Sequence, residues 1–459
     1  MHRLPLLAVL AALPACDAAS KPAAGPPPAP TGPALDAARA LAPAPPAPAP
    51  PVEAMPPVAY LGAPGAAYLG VDGAGLYRLV DGTVTRLIGH KYPIKQIVVG
   101  ADDAVFAVAI GGMWKLGKGA PERLDRDDLR SLERIALGPD GVLWGTDRRG
   151  VFRWDGAWTE EPASTFGGAS ELIYDLAVDR DGRVWVMQSG ALWRLDGDHW
   201  SKLDIGFTGT SQPFFSALAI HPDGTVYVAG NPGTFAFANG RWRKTGLAGR
   251  YGSLDELAVS PAGHVAGSGG VGTIAVQAPA GAVRTIELDD GPARAHRGDV
   301  LAIDGGGRTW ITTDNGLVIL DGDGALAQQW LPGTVAGVTG KITAAAVVGD
   351  GPRLPTLTAA ATGTIAGKVL RAGKPVGGAA VELCDSPLTM FTRTPCESST
   401  ASFRATTAAD GTFALPGVPI GTYGFAVKPG AQWIILIGGD CCTALTAGGT
   451  YDVGAITLD

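Results

Sequence analysis

Short apolar runs separated by Asp-Gly and Gly turns recur along the middle of the chain. Within residues 132–158, apolar runs at Ile135–Leu137, Val142–Trp144 and Val151–Trp154 are followed by a fourth at Ala157–Thr159. Short runs bounded by turns of this kind are typical of antiparallel strands joined as a meander. The pattern therefore predicts a structural unit of four short strands.

The unit repeats. The turns Asp140-Gly141, Asp181-Gly182 and Asp223-Gly224 lie 41 and 42 residues apart. Four strands with a period of about 40 residues indicate a propeller blade. A single blade cannot bury both of its faces, so it must stack on neighbouring blades.

We count seven such units between Val58 and Leu331. The sixth, Leu257–Leu288, is degenerate, because Pro261-Ala262-Gly263 stands where the others have Asp-Gly, and the seventh spans Leu301–Gly324. Ile342–Leu357 fits either the first two strands of an eighth unit or a segment that pairs with the first unit and closes the ring. Closure would remove exposed sheet edges. We predict an all-β, seven-bladed propeller of four-stranded antiparallel blades over residues 58–357, and the choice between seven and eight blades stays open.

The units resemble propeller repeats of the two-component-regulator type. The resemblance is carried by Leu143-Trp144-Gly145-Thr146 with Gly150–Arg153, and by Thr309–Thr312 with Asn315-Gly316-Leu317. It implies the propeller architecture. Because no membrane-spanning or kinase segment follows the repeats in this sequence, we do not expect that family's signalling role.

Residues 362–459 change character and alternate as strands around a hairpin turn at Asp410-Gly411. They resemble the carboxypeptidase-regulatory-like domain, a β-sandwich of transthyretin type, at the following positions: Gly367-Lys368-Val369, Pro375-Val376, Gly417-Val418-Pro419 and Gly421-Thr422-Tyr423. In peptidases this module accompanies a zinc catalytic domain. No His-Glu pair here can stand in for one, so the resemblance implies a sandwich without peptidase activity.

The N-terminus has the pattern of an exported lipoprotein. Residues 1–16 hold an early Arg and the apolar run Leu4–Leu13, as in a signal peptide. They end Leu13-Pro14-Ala15-Cys16, which resembles a bacterial lipobox, although Pro14 departs from it. The alternative is ordinary cleavage a few residues later, with Cys16 unmodified.

An Ala/Pro-rich segment, residues 17–57, follows this leader. It lacks the material for a core and predicts a disordered tether. We therefore expect a lipid-anchored protein of the bacterial cell envelope, on the periplasmic or surface side of the outer membrane.

The other four cysteines lie near the C-terminus, at Cys384, Cys396, Cys441 and Cys442. An even number predicts two disulfides and an oxidising compartment, with three possible pairings. Disulfides join Cα atoms about 4.4–6.8 Å apart, whereas adjacent Cα atoms are ~3.8 Å apart. A bridge between Cys441 and Cys442 is therefore disfavoured, and we predict one of the two crossed pairings.

Composition and spacing give little sign of catalysis. A net charge of −7 argues against a nucleic-acid partner. Asp179–Gly182 and Asp321–Gly324 lack the further oxygen ligands of a calcium loop, so their carboxylates should bond their own turns. The scattered histidines, which are His90, His199, His221, His264 and His296, fit surface turns. We find no nucleophile–base–acid triad and expect no catalytic residue, metal or cofactor.

Two further patterns concern packing and charge. Trp residues inside the blade strands, such as Trp144, Trp185 and Trp310, should fill the gaps between adjacent sheets. The charged run Glu122–Arg134 fits a solvated loop. Alternatively, it joins Arg148-Arg149 in a basic patch for an acidic ligand.

A propeller offers ligands the face formed by the loops between blades and the loops joining the second and third strands of each blade, here called the loop face. Aromatic and Arg side chains supply much of the energy of interfaces. We predict these residues for binding: Lys91, Tyr92, Arg148, Arg149, Phe207, Phe214, Phe215, Arg250, Tyr251, His296, Arg297, Asp314 and Asn315. The predicted function is non-enzymatic binding or scaffolding of an envelope protein or glycan by a monomer. The alternative is a propeller lyase or hydrolase acting on an envelope or extracellular substrate.

Overall fold

The computed structural model describes residues 65–458 with short gaps. The gaps are 101–103, 125–131, 148–149, 163–171, 189–190, 204, 206–213, 270–271, 289–297, 314–315, 332, 339, 385–386, 388–392, 397–398, 400–401, 422 and 443–444, together with the side chains of 162 and 437–440. The predicted signal peptide, Cys16 and the tether lie outside the described residues. Within this part of the chain, no helix is long and apolar enough to cross a membrane.

The regular structure of the described residues consists of β-strands. The first three blades hold β1 (Ala66–Val71), β2 (Gly75–Val80), β3 (Thr83–Ile88); β4 (Ile94–Val99), β5 (Val105–Ala109), β6 (Gly112–Leu116), β7 (Glu122–Arg123); β8 (Arg134–Leu137), β9 (Leu143–Thr146), β10 (Gly150–Trp154) and β11 (Trp158–Pro162). The fourth and fifth hold β12 (Ile173–Val178), β13 (Val184–Gln188), β14 (Ala191–Asp196), β15 (His199–Leu203); β16 (Phe215–Ile220), β17 (Val226–Gly230), β18 (Gly233–Ala238) and β19 (Arg241–Lys244).

The last two blades hold β20 (Glu256–Val259), β21 (Val265–Gly269), β22 (Thr273–Gln277), β23 (Val283–Glu287); β24 (Gly298–Ile303), β25 (Thr309–Thr313), β26 (Gly316–Leu320) and β27 (Leu326–Trp330). Blades two to seven are antiparallel meanders of four consecutive strands. The predicted all-β propeller is therefore confirmed.

The ring is closed by a strand from the far end of the repeat region. β28 (Ile342–Val347) pairs antiparallel with β1 and gives the first blade its fourth, innermost strand. Each innermost strand packs against the next, in the cycle β28, β4, β8, β12, β16, β20, β24 and back to β28. Of the two interpretations of Ile342–Leu357, pairing with the first unit is thus the one observed, and the described sheets give seven blades.

The turns of the repeat follow from glycine and carboxylate chemistry. Gly182 and Gly263 adopt φ values of +79° and +89°, a region that favours glycine, so the degenerate sixth blade keeps the same turn as the others. Asp179 accepts hydrogen bonds from the backbone N–H groups of Asp181 and Arg183, both at 2.9 Å. Asp321 likewise accepts from Ala325 N at 2.8 Å. The carboxylates therefore bond their own turns, as predicted.

In blades four and seven, side-chain donors also bond the buried carboxylate of this turn. Trp185 Nε1 donates to Asp179 Oδ2 at 2.9 Å. In blade seven, Arg308 Nε donates to the fully buried Asp304 at 2.7 Å, and Trp310 Nε1 approaches the same carboxylate at 3.4 Å. A buried carboxylate held by two donors fixes the turn against the tryptophan that packs beneath it.

The propeller core lies between adjacent sheets. Trp310 and Trp185 are 0% and 3% exposed and Trp144 is 8% exposed, which confirms their predicted packing role. Trp310 meets Trp330 edge-to-face, with ring centroids 6.1 Å apart, within the apolar cluster that joins blades seven and one. Leu354 and Leu357 pack on that same cluster, so the segment after β28 covers the closure.

The C-terminal region forms two more four-stranded sheets. One holds β29 (Thr362–Arg371), β30 (Lys374–Pro375), β33 (Thr412–Pro419) and β36 (Thr450–Leu458), with β36 parallel to β29. The other holds β31 (Ala380–Cys384), β32 (Ser402–Thr406), β34 (Tyr423–Lys428) and β35 (Ile434–Cys441). Their shared apolar core includes Ile365, Val381, Phe413 and Val427, as expected for a β-sandwich.

The disulfides correct the predicted crossed pairing. Cys384 is bonded to Cys396, with Cα atoms 5.8 Å apart, and Cys441 is bonded to its neighbour Cys442, with Cα atoms 3.7 Å apart. The prediction was wrong because it took the short Cα separation as prohibitive. Here the chain turns at Cys442, whose φ is +79°, and Cys384 ends β31 within reach of its own insertion.

Candidate functional site

Exposed apolar side chains concentrate on the loop face. Among the described residues, the large apolar side chains that remain exposed there are Tyr92 (40%), Ile110 (46%), Leu172 (43%), Phe214 (38%) and Tyr251 (73%). Ile110 lies between the second and third strands of its blade, and the others lie between blades. Val283, on an outer strand, is the further exposed member of this class. The aromatic members of this set are of the type that is enriched at protein interfaces.

Local contacts hold these side chains in place. On blade two, the His90 ring lies between Tyr92 and Trp114, with centroids 5.7 and 4.6 Å away, and its Nε2 is 3.1 Å from the Ile110 carbonyl oxygen. At blade five, Phe214 meets Tyr174 edge-to-face at 4.9 Å. Aromatic side chains fixed in this way lose little conformational entropy when a partner binds.

The predicted binding residues divide into three groups. Lys91, Tyr92, Phe214, Arg250 and Tyr251 lie at the loop face and are exposed. Phe215 is a correction: it is fully buried, because it begins β16 and points between blades against Phe235. The remainder lie outside the described residues: Arg148, Arg149, Phe207, His296, Arg297, Asp314 and Asn315.

Strand register identifies a second feature that the sequence reasoning missed. In each blade, one residue of the innermost strand pairs with the same repeat position of the second strand. These seven residues therefore lie at the same height around the central opening. They are Ala344, Gln96, Arg134, Asp175, Ala217, Glu256 and Asp299, here called the inner ring. Each lies within the first three residues of its strand, so the inner ring is at the loop-face end of the opening.

Some inner-ring side chains fasten adjacent blades. Gln96 Oε1 accepts from Ile135 N at 2.6 Å, and Asp175 Oδ2 accepts the equivalent bond from Leu218 N at 2.8 Å. At blade six the equivalent acceptor is not Glu256. Ser268 Oγ accepts from Val300 N at 3.1 Å instead. Glu256 therefore does not accept the backbone bond that joins its blade to the next.

Arg134 and Glu256 meet across the ring. Arg134 Nη2 donates to Glu256 Oε1 at 2.9 Å, although the two residues belong to the third and sixth of seven blades. Arg134 Nε also lies 3.6 Å from Asp175 Oδ1. The Glu256 side chain retains 37% of its surface exposed, which places it in the solvent-accessible opening rather than in packed core.

The charged run Glu122–Arg134 was predicted to be a solvated loop. That is wrong at both ends of the run, because Glu122 and Arg123 form β7 and Arg134 begins the innermost strand β8. Residues 125–131 lie outside the described residues.

Two carboxyls of the inner ring have raised pKa values. Part of the Glu256 side chain is accessible, but its carboxyl faces Arg134 across the opening and is surrounded by other blades, which displace much of its water. This desolvation raises the pKa of Glu256 to about 7, and the negative charges of Asp175 and Asp299 act in the same direction, against the opposing charge of Arg134. Burial also raises the pKa of Asp175, against Arg134 and the backbone N–H groups of Leu218 and Leu176. The guanidinium of Arg134 therefore does not fully offset desolvation and the neighbouring negative charges that act on Glu256.

The opposite face of the disc is built from turns. His221 Nε2 lies 3.1 Å from Gly263 O of the next blade, and His264 Nδ1 lies 3.2 Å from Ser260 Oγ. Both histidines lie at turns, and both are half-buried rather than fully exposed. Among the described residues, no group of three or more His, Cys, Asp or Glu side chains has the geometry of a metal site.

Comparison with known proteins finds similarity among solved structures only. No family model and no curated protein matches the sequence. Among solved structures, the chain is similar to virginiamycin B lyase from Staphylococcus aureus, with 14% identity and a TM-score of 0.42 over 54% of this chain and 92% of that one. It is also similar to the WD40 repeats of RRP9, with 16% identity and a TM-score of 0.42 over 56% and 84%. Likeness at this level concerns the fold alone and favours no activity.

Proposed function

We propose that the protein is a non-enzymatic binding protein of the bacterial envelope, which holds a protein or glycan partner on its loop face. The observation that carries this proposal is the concentration of exposed apolar side chains on that face. Aromatic anchors such as Tyr251 and Phe214 are the type of residue that dominates binding energy. On the opposite face, the described turns include carboxylates bonded to their own backbone, such as those of Asp179 and Asp223.

The proposal is tested by capture of a partner from envelope extract by the full-length protein. The double variant Phe214→Ser/Tyr251→Ser should lose at least about tenfold in captured partner, which corresponds to about 1.4 kcal/mol. The matched control is His199→Ser, whose 89% exposed side chain lies on the opposite face. Equal capture by both variants would refute the loop-face assignment.

Location and anchoring form part of the proposal. Cys16 would carry the lipid anchor, residues 17–57 would be the tether, and the two C-terminal disulfides fit an oxidising compartment. The C-terminal sandwich would be of the carboxypeptidase-regulatory-like type, and the blades of the two-component-regulator type. Cys16→Ser should move the protein from the membrane fraction to the soluble fraction, and unchanged membrane association would exclude lipidation.

A second candidate function, a propeller lyase or hydrolase, draws on Glu256. A carboxyl with a pKa of about 7 beside an Arg is suited to acid–base chemistry near neutral pH. Its test is a screen of envelope polysaccharides and peptides for turnover that disappears in Glu256→Gln. No turnover by the wild-type protein would leave the binding function as the better account.

A further inference from the structure

The inner ring and the apolar loop face together define the chemistry of a partner. We propose that a protein partner inserts a basic side chain into the mouth of the central opening, where it takes the place of Arg134 on Glu256. This inference rests on the proposed binding function and names its partner class. It is carried by the contacts of Arg134, the register of the inner ring and the composition of the loop face.

The structure shows first that a guanidinium fits this position. Arg134 reaches Glu256 at 2.9 Å and lies 3.6 Å from Asp175, with the two carboxylates supplied by the sixth and fourth blades. Arg134 thus occupies a cation-binding position between blades. An incoming Arg or Lys side chain would find the same acceptors.

Glu256 does not accept the backbone N–H bond that fastens the next blade, which distinguishes it from Gln96 and Asp175. Gln96 and Asp175 accept backbone N–H bonds from the next blade, whereas Ser268 performs that task at blade six. The Glu256 carboxylate is directed instead at a side chain across the opening, and 37% of its side chain is accessible. It is therefore available for exchange of one cation for another.

Charge complementarity favours the exchange. The pKa of Glu256 stays raised to about 7 with Arg134 in contact, because burial and the charges of Asp175 and Asp299 outweigh that single guanidinium. Lys95 of the second blade is held 2.8 Å from Glu133, on the loop side of Arg134. A partner cation beside Glu256 would favour its charged form.

The surrounding surface favours a protein over a glycan. Sugar-binding surfaces rely on aromatic faces and hydrogen-bonding groups, whereas the exposed set here also contains the aliphatic Ile110 and Leu172. Tyr174, directly before Asp175 in the chain, packs on the half-exposed Phe214 at 4.9 Å. A protein segment with apolar residues on either side of an Arg or Lys matches both the exposed side chains of the loop face and the inner ring.

The test uses the full-length protein and two probes, the acetylated and amidated tripeptide Tyr-Arg-Leu and its counterpart with neutral citrulline in place of Arg. Calorimetric titration at pH 8 should show the arginine peptide binding at least about tenfold more tightly than the citrulline peptide. Glu256→Gln should abolish that preference. Arg134→Gln should increase affinity for the arginine peptide, because it removes the internal competitor, and a merely structural Arg134 would not do so.

Controls separate this inference from the proposed function. Asp198→Asn, on the opposite face with a side chain 90% exposed, should leave the preference unchanged. Equal affinity of the wild-type protein for both peptides, or a preference that survives Glu256→Gln, would overturn the inference. Binding of chitohexaose but neither peptide would overturn it in favour of a glycan. Loss of partner capture in Phe214→Ser/Tyr251→Ser is measured independently, so intact capture without arginine preference would remove this inference alone.

Discussion

Glu256 gives a residue-scale prediction with a definite sign. Its pKa is raised from an ordinary 4.5 to about 7 in the folded protein. Between these values the folded protein holds a proton that the unfolded chain has released, so this group's contribution to stability is present at low pH and lost as pH rises through 7. Thermal unfolding of the wild-type protein should show this decline between pH 5 and pH 8.

The variant Glu256→Gln should show a smaller decline over the same range, because its side chain does not titrate. Glu160→Gln is the matched control, on an exposed outer strand, and it should follow the wild-type protein. Depressed pKa values such as that of Asp223 act only below about pH 4 and do not contribute to this window. An unchanged slope in Glu256→Gln would contradict the assignment of the raised pKa.

Residue identity alone could not locate the inner ring, yet the repeat contains a signal for it. Arg134, Asp175 and Glu256 each stand directly before a three-residue apolar run within an innermost strand. Superposing the repeats would have placed these charges at one level. It would not have shown that Arg134 reaches Glu256 three blades away, since that depends on closure of the ring and on Ser268 taking over the backbone bond at blade six.

At the scale of elements, β28 should determine the integrity of the propeller. Ala345 in β28 is 8% exposed, faces Leu69 across the ladder and belongs to the core that joins blades seven and one. Ala345→Asp buries an unpaired charge there, so it should open the closure, lower the melting temperature and cause aggregation through the exposed edge of β1.

Ala327→Asp, at an exposed position of the outer strand β27, is the control for that experiment and should remain folded and monomeric. Light scattering and thermal unfolding measure both variants. If Ala345→Asp behaved like Ala327→Asp, β28 would not be the element that closes the ring.

The two disulfides should differ in their contribution to the sandwich. Cys384–Cys396 spans 12 residues of sequence, whereas Cys441–Cys442 closes no chain loop. Loop-closure entropy assigns about 3 kcal/mol to a bridge around a loop of roughly 15 residues. Cys384→Ala/Cys396→Ala should therefore lower the stability of the sandwich clearly more than Cys441→Ala/Cys442→Ala, as measured by calorimetry of the full chain. The reverse order would contradict this.

Prediction from sequence succeeded for the strands, which are bounded by recognisable turn residues. It failed for the burial of Phe215 and the pairing of the cysteines, which depend on the folded structure. The Asp-Gly turns marked the boundaries of the strands within each blade, and even the degenerate sixth blade has a glycine at positive φ in its turn. The position of Phe215 after a loop predicts surface exposure, but Phe215 begins β16 and its ring is fully buried. The cysteine pairing failed for a similar reason, since local backbone at Cys442 permits a bridge that average geometry disfavours.

At the scale of the whole molecule, seven blades bring separate loops to one face and separate charges to one ring. No single repeat contains the site, because Tyr92, Phe214 and Tyr251 come from different interblade loops. Arg134 and Glu256 are likewise 122 residues apart in sequence. A closed propeller is what converts these scattered positions into a binding surface with a charged centre.

The central claim is that this surface contacts a partner, and site-specific photocrosslinking in the envelope tests it most directly. A photoreactive phenylalanine at position 251 of the loop face should form a crosslink to a discrete protein partner, and the same residue at position 199 of the opposite face should not. Addition of the arginine tripeptide should reduce the crosslink from position 251. Equal crosslinking from both positions, or none from position 251 with the protein folded, would contradict the account.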